Sequence, residues 1–275
     1  MTPEFKALLL RSRQETYTYL SGHNLSKHHG EGYDFAELRE YQIGDDIRKI
    51  NWTITAKLGK PYVKELHANR ELYVSVAALM DGSLYSQEGN DKQRTMTEVS
   101  AILGYAAQYN HDLFQGICFS QDHTYATPPT KQLFEIERFC QKLYDTPLLH
   151  TSLPLQPALD ALFLRLHRPS LLFILHDFLE PMDLSLLAQR HEVIAIVIRH
   201  PEEENPHLQG ELTLHNPQTA QRIDTYISKR SITRYIQKRV ESDERMVAHF
   251  SKHRIRYVKI MTTESVIGKL LTLFR

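Results

Sequence analysis

Hydrophobic positions along this chain fall into two rhythms from about residue 72 onward. In LYVSVAALM (72–80), SLLFILHDF (170–178) and EVIAIVI (192–198) apolar and β-branched residues follow one another without a polar alternate. That is the pattern of strands buried on both faces of a parallel sheet. LFQGICF (113–119) and RYVKIM (256–261) are two weaker runs of the same kind. Between the runs the period turns helical. Met96, Val99, Leu103 and Ala106 share one face of TMTEVSAILGYAAQY, with Asn110 placed to cap it, and Leu133, Ile136, Phe139 and Leu143 share one face of KQLFEIERFCQKLY. LQPALDALFLRLH, DLSLLAQR, a charged stretch over roughly 228–251 and ESVIGKLLTLF predict four more helices, and ELTLHNPQTAQRID predicts a hairpin turning at Asn216 and Pro217. Strands alternating with helices predict an α/β fold: an open, mostly parallel sheet with helices on both faces. Ligands of such sheets bind beyond the carboxyl ends of the strands, where Asp81 and Asp177 stand.

The first 70 residues break this alternation. MTPEFKALLLRSRQETYTYL predicts a helix and HNLSKHHGEG a polar turn. IGDDIRKINWTITAKL predicts a short helix capped by Asp45 or Asp46, with Ile47, Ile50 and Ile54 in register, and GKPYVKELHANRELYVSV predicts a hairpin-forming strand feeding the core. The expected division is a segment over 1–70 packed on an α/β domain over 71–275.

Composition narrows the function classes. The chain has 275 residues, with 33 Lys and Arg against 33 Asp and Glu. A charge-driven partner would therefore have to be met by a local patch. Cys118 and Cys140 are too few for a disulfide framework or a zinc site, which makes a reducing, cytoplasmic setting the expectation. The N-terminus lacks a secretory pattern, and SLLFIL and VIAIVI fall far short of the roughly 20 residues that span a bilayer.

One stretch carries more information than its hydrophobicity. Gly30, Gly32, Asp34, Phe35, Leu38, Arg39, Tyr41, Gly44, Asp45, Asp46, Arg48, Ile50, Trp52, Thr55 and Ala56 fit the signature G-x-G-x-D-F-x-x-L-R-x-Y-x-x-G-D-D-x-R-x-I-x-W-x-x-T-A. With fifteen matches in 27 positions, the chain resembles the bacterial family known as domain of unknown function 58. The likeness covers nearly everything after residue 28. It implies a von Willebrand A-like α/β domain preceded by the signature segment. It also implies a non-enzymatic adaptor or client-recognition partner of a MoxR-type AAA+ ATPase, in chaperone-like assembly, metal-cofactor maturation or envelope stress. Two readings of the Arg39, Asp45, Asp46 and Arg48 cluster stand open. It is either a docking surface, or an internal ion network that with Trp52 as apolar anchor fastens the segment down.

The resemblance further implies a metal-ion-dependent adhesion site, in which D-x-S-x-S, a threonine and a later aspartate hold Mg²⁺ through hard oxygens. Asp81, Ser83 and Asp177 keep three of these places. Tyr85 stands at the third motif position, with Ser86 one step late, and Leu153 stands where the threonine belongs, beside Thr151 and Ser152. A phenol on a rigid ring cannot replace a serine hydroxyl about 2.1 Å from a small cation. The alternative for Asp81 and Asp177 is that they cap neighbouring helix N-termini. On either reading the expected binding edge includes Ser86, Thr151, Ser152 and His176.

Other chemistry has weaker support. His28 and His29 are adjacent in a polar turn, and no HExxH or Cys-paired histidine spacing occurs. His176 and Asp177 are neighbours, but strand alternation puts them on opposite faces and argues against a dyad. Ser83 has no nucleophile elbow, and no phosphate-binding lysine precedes a helix. Residues 222–259 hold eleven Lys or Arg against four Asp or Glu. Such a face can bind nucleic acid, or simply be a solvated helix face without an aromatic platform.

Overall fold

A computed structural model describes residues 2–24, 35–66, 71–85 and 89–274. The chain divides into two compact units, Ser21–Glu71 on the one hand and Met1–Leu20 with Leu72–Arg275 on the other.

The larger unit opens with helix α1, Pro3–Asn24. Phe5 and Leu9 are buried against Ala101, Tyr105 and Cys140, while the buried Ser12 and Thr16 donate back to the carbonyls of Leu8 and Ser12.

In the smaller unit, β1 (Phe35–Glu40) pairs antiparallel with β2 (Tyr62–Leu66), aligning Arg39 with Val63. Between them the expected single helix over 43–58 is two elements: a 3₁₀ turn at Ile47–Lys49 capped by Asp46, and α2 at Trp52–Leu58. The break falls at Ile50 and Asn51, both extended. Ile50 bridges Val63, the Asn51 N–H donates to the Tyr62 carbonyl at 2.8 Å, and the Asn51 side chain restarts the helix by accepting from the Ile54 N–H. The strand at 62–66, expected to form a hairpin into the core, pairs back onto β1. The alternation in 35–40 is too short to announce that partner. Gly44 has φ 113°, a backbone region that favours glycine, which accounts for its place in the signature.

The rest of the larger unit runs β3 (Tyr73–Leu79), α3 (Asp91–Tyr109), β4 (Leu113–Phe119), β5 (Thr124–Ala126), α4 (Leu133–Asp145), α5 (Leu155–Arg165), β6 (Leu171–His176), α6 (Ser185–Ala188), β7 (Glu192–Arg199), α7 (Pro201–Glu204), β8 (Gly210–His215), β9 (Arg222–Ile227), α8 (Lys229–Lys252), β10 (Arg256–Met261) and α9 (Val266–Leu270). Six strands form one sheet in the order β10-β7-β6-β3-β4-β5, parallel except for the short edge strand β5. Alternate residues feed separate layers. Val76, Ala78, Phe173, Leu175, Ile194 and Ile196 pack with Met96, Val99, Phe139 and Leu270 on one face. Ala77, Leu79, Leu172, Ile174, Ala195 and Val197 pack with Leu159, Leu162 and Phe250 on the other. This is the open, mostly parallel α/β sheet with helices on both faces that the hydrophobic pattern predicts. The chain leaves β3 toward β4 and β5, then crosses to build β6, β7 and β10 on the opposite side, so the strand order reverses between β3 and β6. Open sheets bind ligands at such a switch point.

Candidate functional site at the switch point

Asp81 directly follows the central strand and caps a 3₁₀ turn, Gly82–Leu84. Its Oδ1 accepts from the Ser83 N–H at 2.9 Å and from Ser83 Oγ at 2.6 Å, and its Oδ2 accepts from Gln218 Nε2 at 3.1 Å. On the neighbouring strand, His176 ends β6 and Asp177 leaves it. Asp177 Oδ1 accepts from the Leu179 N–H at 3.1 Å, and Phe178 sits at φ 52°, a strained region for an aromatic residue.

This left-handed step undoes the alternation argument, because Asp177 is already outside the strand. His176 Nδ1 comes within 3.2 Å of Asp177 Oδ1, and its Nε2 within 3.7 Å of Asp81 Oδ1.

The centre of the site is held by Lys92, in the first turn of α3, which opens at Asp91 rather than at Thr95 as its apolar face suggests. Lys92 Nζ donates to the Ser83 carbonyl, to Asp177 Oδ2 at 3.1 Å and to Glu203 Oε1 at 2.5 Å. Glu203 in turn accepts the His200 N–H on its other oxygen at 2.9 Å, closing a capping box at the start of α7. Behind this group, fully buried Arg199 donates to the Phe178 carbonyl at 2.9 Å and to Asp243 at 3.2 Å. Asp243 also takes Arg239 and Lys259, and Arg256 pairs with Glu192, so part of the basic content of 222–259 is spent inside the unit.

Burial, the largest influence on Asp81 and Asp177, pushes their carboxyls up. It is outweighed by His176 for both, together with Ser83 at Asp81 and Lys92 at Asp177, and both carboxyls lie below the ordinary carboxylate range. For His176, burial pulls the ring down, but the two flanking carboxylates raise it above its usual value. The Phe178 N–H, 3.2 Å from Nδ1, suits an unprotonated nitrogen, whereas Asp177 suits a protonated one. The carboxylates on either side favour the protonated ring.

The oxygens that the resemblance assigns to a cation are hydrogen-bonded within the chain. Both Asp81 oxygens and the Ser83 hydroxyl are committed to each other and to Gln218. Thr151 Oγ1 donates to the Leu148 carbonyl, the Thr151 carbonyl takes the Gly82 N–H, and Ser152 is held through its N–H by Gln121. Among the described residues no three His, Cys, Asp or Glu side chains converge to hold a metal ion.

Over the site lies the β8–β9 ribbon, whose two strands, among the described residues, pair only with each other. Its tip is fastened at three points. Gln218 reaches Asp81, the Pro217 carbonyl accepts the His150 N–H at 2.6 Å, and Gly82 passes so near that a Cβ there would lie 2.6 Å from the Pro217 oxygen. His150 itself has φ 62°. In register, Leu212 and Leu214 face Thr225 and Ile223. Together with Leu155, Leu179, Leu208, Ile232 and Tyr235 they wall a cavity of about 830 Å³ whose floor is Asp81, Ser83, His176 and Asp177. Ile223 is 61% exposed and Tyr226 68%.

Of the expected binding edge, His176 reaches the floor, the Thr151 carbonyl supports the Asp81 turn, Ser152 is held by Gln121, and Ser86 lies outside the described residues, as do Gly30, Gly32, Asp34, His28 and His29. Within the signature, Arg39 grips Asp45 through two bonds of 2.7 and 2.8 Å, and the Gln42 N–H adds a third at 2.8 Å. Phe35 is described as strand backbone, Tyr41 donates its N–H to the Pro61 carbonyl, Arg48 is exposed and Trp52 is 65% exposed. Lys92, Glu203 and Gln218 escape sequence reasoning, since each sits in a polar stretch that reads as solvent-facing.

The family described as "Protein of unknown function DUF58" matches residues 37–246, and the chain belongs to it. It is 25% identical over 205 residues to "Uncharacterized protein Rv1480" of Mycobacterium tuberculosis and to "Uncharacterized protein Mb1516" of Mycobacterium bovis. Each match covers 72% of this chain and 65% of the relative, so the chain spans just under two thirds of their length. Among solved structures it is similar to the conserved hypothetical protein BatB from Bacteroides thetaiotaomicron (TM-score 0.40, 12% identity, 74% of this chain, 96% of that one). It is also similar to an aerotolerance-related membrane protein from Bacteroides fragilis (TM-score 0.42, 9% identity, 74% and 98%). Neither the family nor these relatives indicate an enzyme. Among the described residues no helix is long and apolar enough to cross a membrane.

Proposed function

We propose that this chain is a protein-docking module that serves a MoxR-type AAA+ ATPase as adaptor or client-recognition partner, with the cavity beneath the β8–β9 ribbon as its ligand surface. One observation carries the reading. The walls expose large apolar side chains, Leu208, Leu214, Ile223, Tyr226 and Tyr235, while the ionic groups of the floor are paired with one another. Apolar walls with a few fixed polar groups suit the capture of a peptide segment. They offer no activated nucleophile: Ser83 Oγ donates its proton to Asp81 rather than to His176.

The test is calorimetric titration of the chain with a purified MoxR-type ATPase from the same genome, using wild type, Ile223→Asp, Tyr226→Ala and Arg39→Ala. Weakening of roughly tenfold or more in the two cavity variants, the size expected for interface anchors, supports the reading. Binding lost in Arg39→Ala and kept in the cavity variants moves docking to the signature unit. No binding by wild type removes the adaptor role.

A further inference from the structure

A primary ammonium sits among oxygens of Ser83 and Asp177, two of the residues that the resemblance assigns to a divalent cation. Lys92 Nζ has three hydrogens and meets three oxygens, from the Ser83 backbone, Asp177 and Glu203. The Lys92 and Asp177 side chains are both at 0% exposure, and that of Glu203 is at 19%. A lysine is almost never sealed in this way unless paired, and here the pairing is complete. The surrounding donors are engaged as well, because Asp81 accepts from Ser83 on one oxygen and from Gln218 on the other. A Mg²⁺ ion would have to take oxygens at about 2.1 Å from a shell whose centre already carries positive charge.

We propose that Lys92 is a tethered cation that permanently takes the place of the divalent ion, and that Glu203 fills from within the chain the position that a metal site leaves open for a partner's carboxylate. The site is then assembled by folding alone and is indifferent to metal. The parts arrive from three separate elements: α3 supplies the cation, the end of β6 supplies Asp177, and α7 supplies Glu203 through the capping box that fixes its other oxygen. An ordinary surface ion pair would show neither the three-acceptor shell nor the loss of all exposure.

The experiment is chemical complementation. In Lys92→Ala the three acceptors remain around a hole that n-propylammonium fills atom for atom. The variant should melt roughly 6–20 °C below wild type, as expected for buried carboxylates stripped of their partner in a chain of this length. n-Propylammonium should raise that melting temperature saturably, while tetramethylammonium and n-propanol should not. Wild type should show no change in melting temperature and no binding heat with Mg²⁺, Mn²⁺ or a chelator. Saturable Mg²⁺ binding by wild type that is lost in Asp81→Ala overturns the proposal, whatever the variant does. So does Lys92→Ala that melts with wild type, or that n-propylammonium does not restore. If Lys92→Ala is recovered unfolded, its refolding from urea with and without n-propylammonium reads the same effect.

Discussion

Lys92 Nζ and Asp177 Oδ2, 85 residues apart in sequence, meet at 3.1 Å with both side chains closed to solvent. They meet because α3 begins at the carboxyl end of β3 and the adjacent parallel strand β6 ends beside it. A buried pair of this kind is costly to break from one side, since the surviving charge stays in a medium that cannot solvate it. Asp177→Ala is expected to lose about 3–5 kcal/mol, and Glu203→Gln, at a partly exposed position, clearly less. Urea unfolding of the two variants against wild type checks the order.

His176 gives the site a dependence on pH. Its folded value lies above the unfolded one of about 6.5, so its contribution is fully present below that pH and fades as pH rises through the folded value. Asp81 and Asp177 are shifted the other way, and their contribution fades as pH falls below about 4. Wild type should therefore lose stability as pH rises above about 6.5, and His176→Gln should flatten that limb while leaving the acid limb. Urea midpoints from about pH 2 to 9 decide it, and an unchanged limb above pH 6.5 in the variant would refute the assignment.

In the smaller unit, the Arg39 fork and the Gln42 N–H hold the Asp45 carboxyl down at about 2. Carbon-13 NMR should find it titrating well below other aspartates, and Arg39→Lys should bring it part of the way back, because a point charge cannot supply two parallel bonds. A normal Asp45 value in wild type would mean that the fork does not persist in solution.

Gly82 is the closest approach between the Asp81 turn and the ribbon tip. Its missing side chain is a requirement of that packing, so Gly82→Ala should push Pro217 away at a cost of about 1–3 kcal/mol. Limited proteolysis should then cut 216–221 faster than in wild type, with the sheet still folded by circular dichroism.

The apolar runs 72–80, 170–178 and 192–198 were legible as buried strands because they are short, rich in β-branched residues and bounded by turn signals, and β3, β6 and β7 fall inside them. The signature was legible as a family mark before its fold was, since Gly44 and the Arg39–Asp45 pair serve turn geometry rather than periodicity. β1 and β5 escaped, being short and carrying too little alternation to announce a strand. His176 and Asp177 were misjudged as a pair because alternation holds only while the strand lasts, and the chain turns left-handed at Phe178.

By itself the sequence determined the α/β class, the strands that carry the core and the two aspartates at the edge where their order reverses, because burial and hydrogen bonding act along the chain within a few residues. What fills that edge was decided only in three dimensions. Lys92 sits in DKQR, a stretch indistinguishable from a solvated helix start, and Glu203 in PEEE, which reads as a charged turn. Their charges become a site only when helix α3 and the turn after β7 are brought to the same strand ends, since Coulomb attraction in a dry interior depends on distance in space, and the sequence records only distance along the chain.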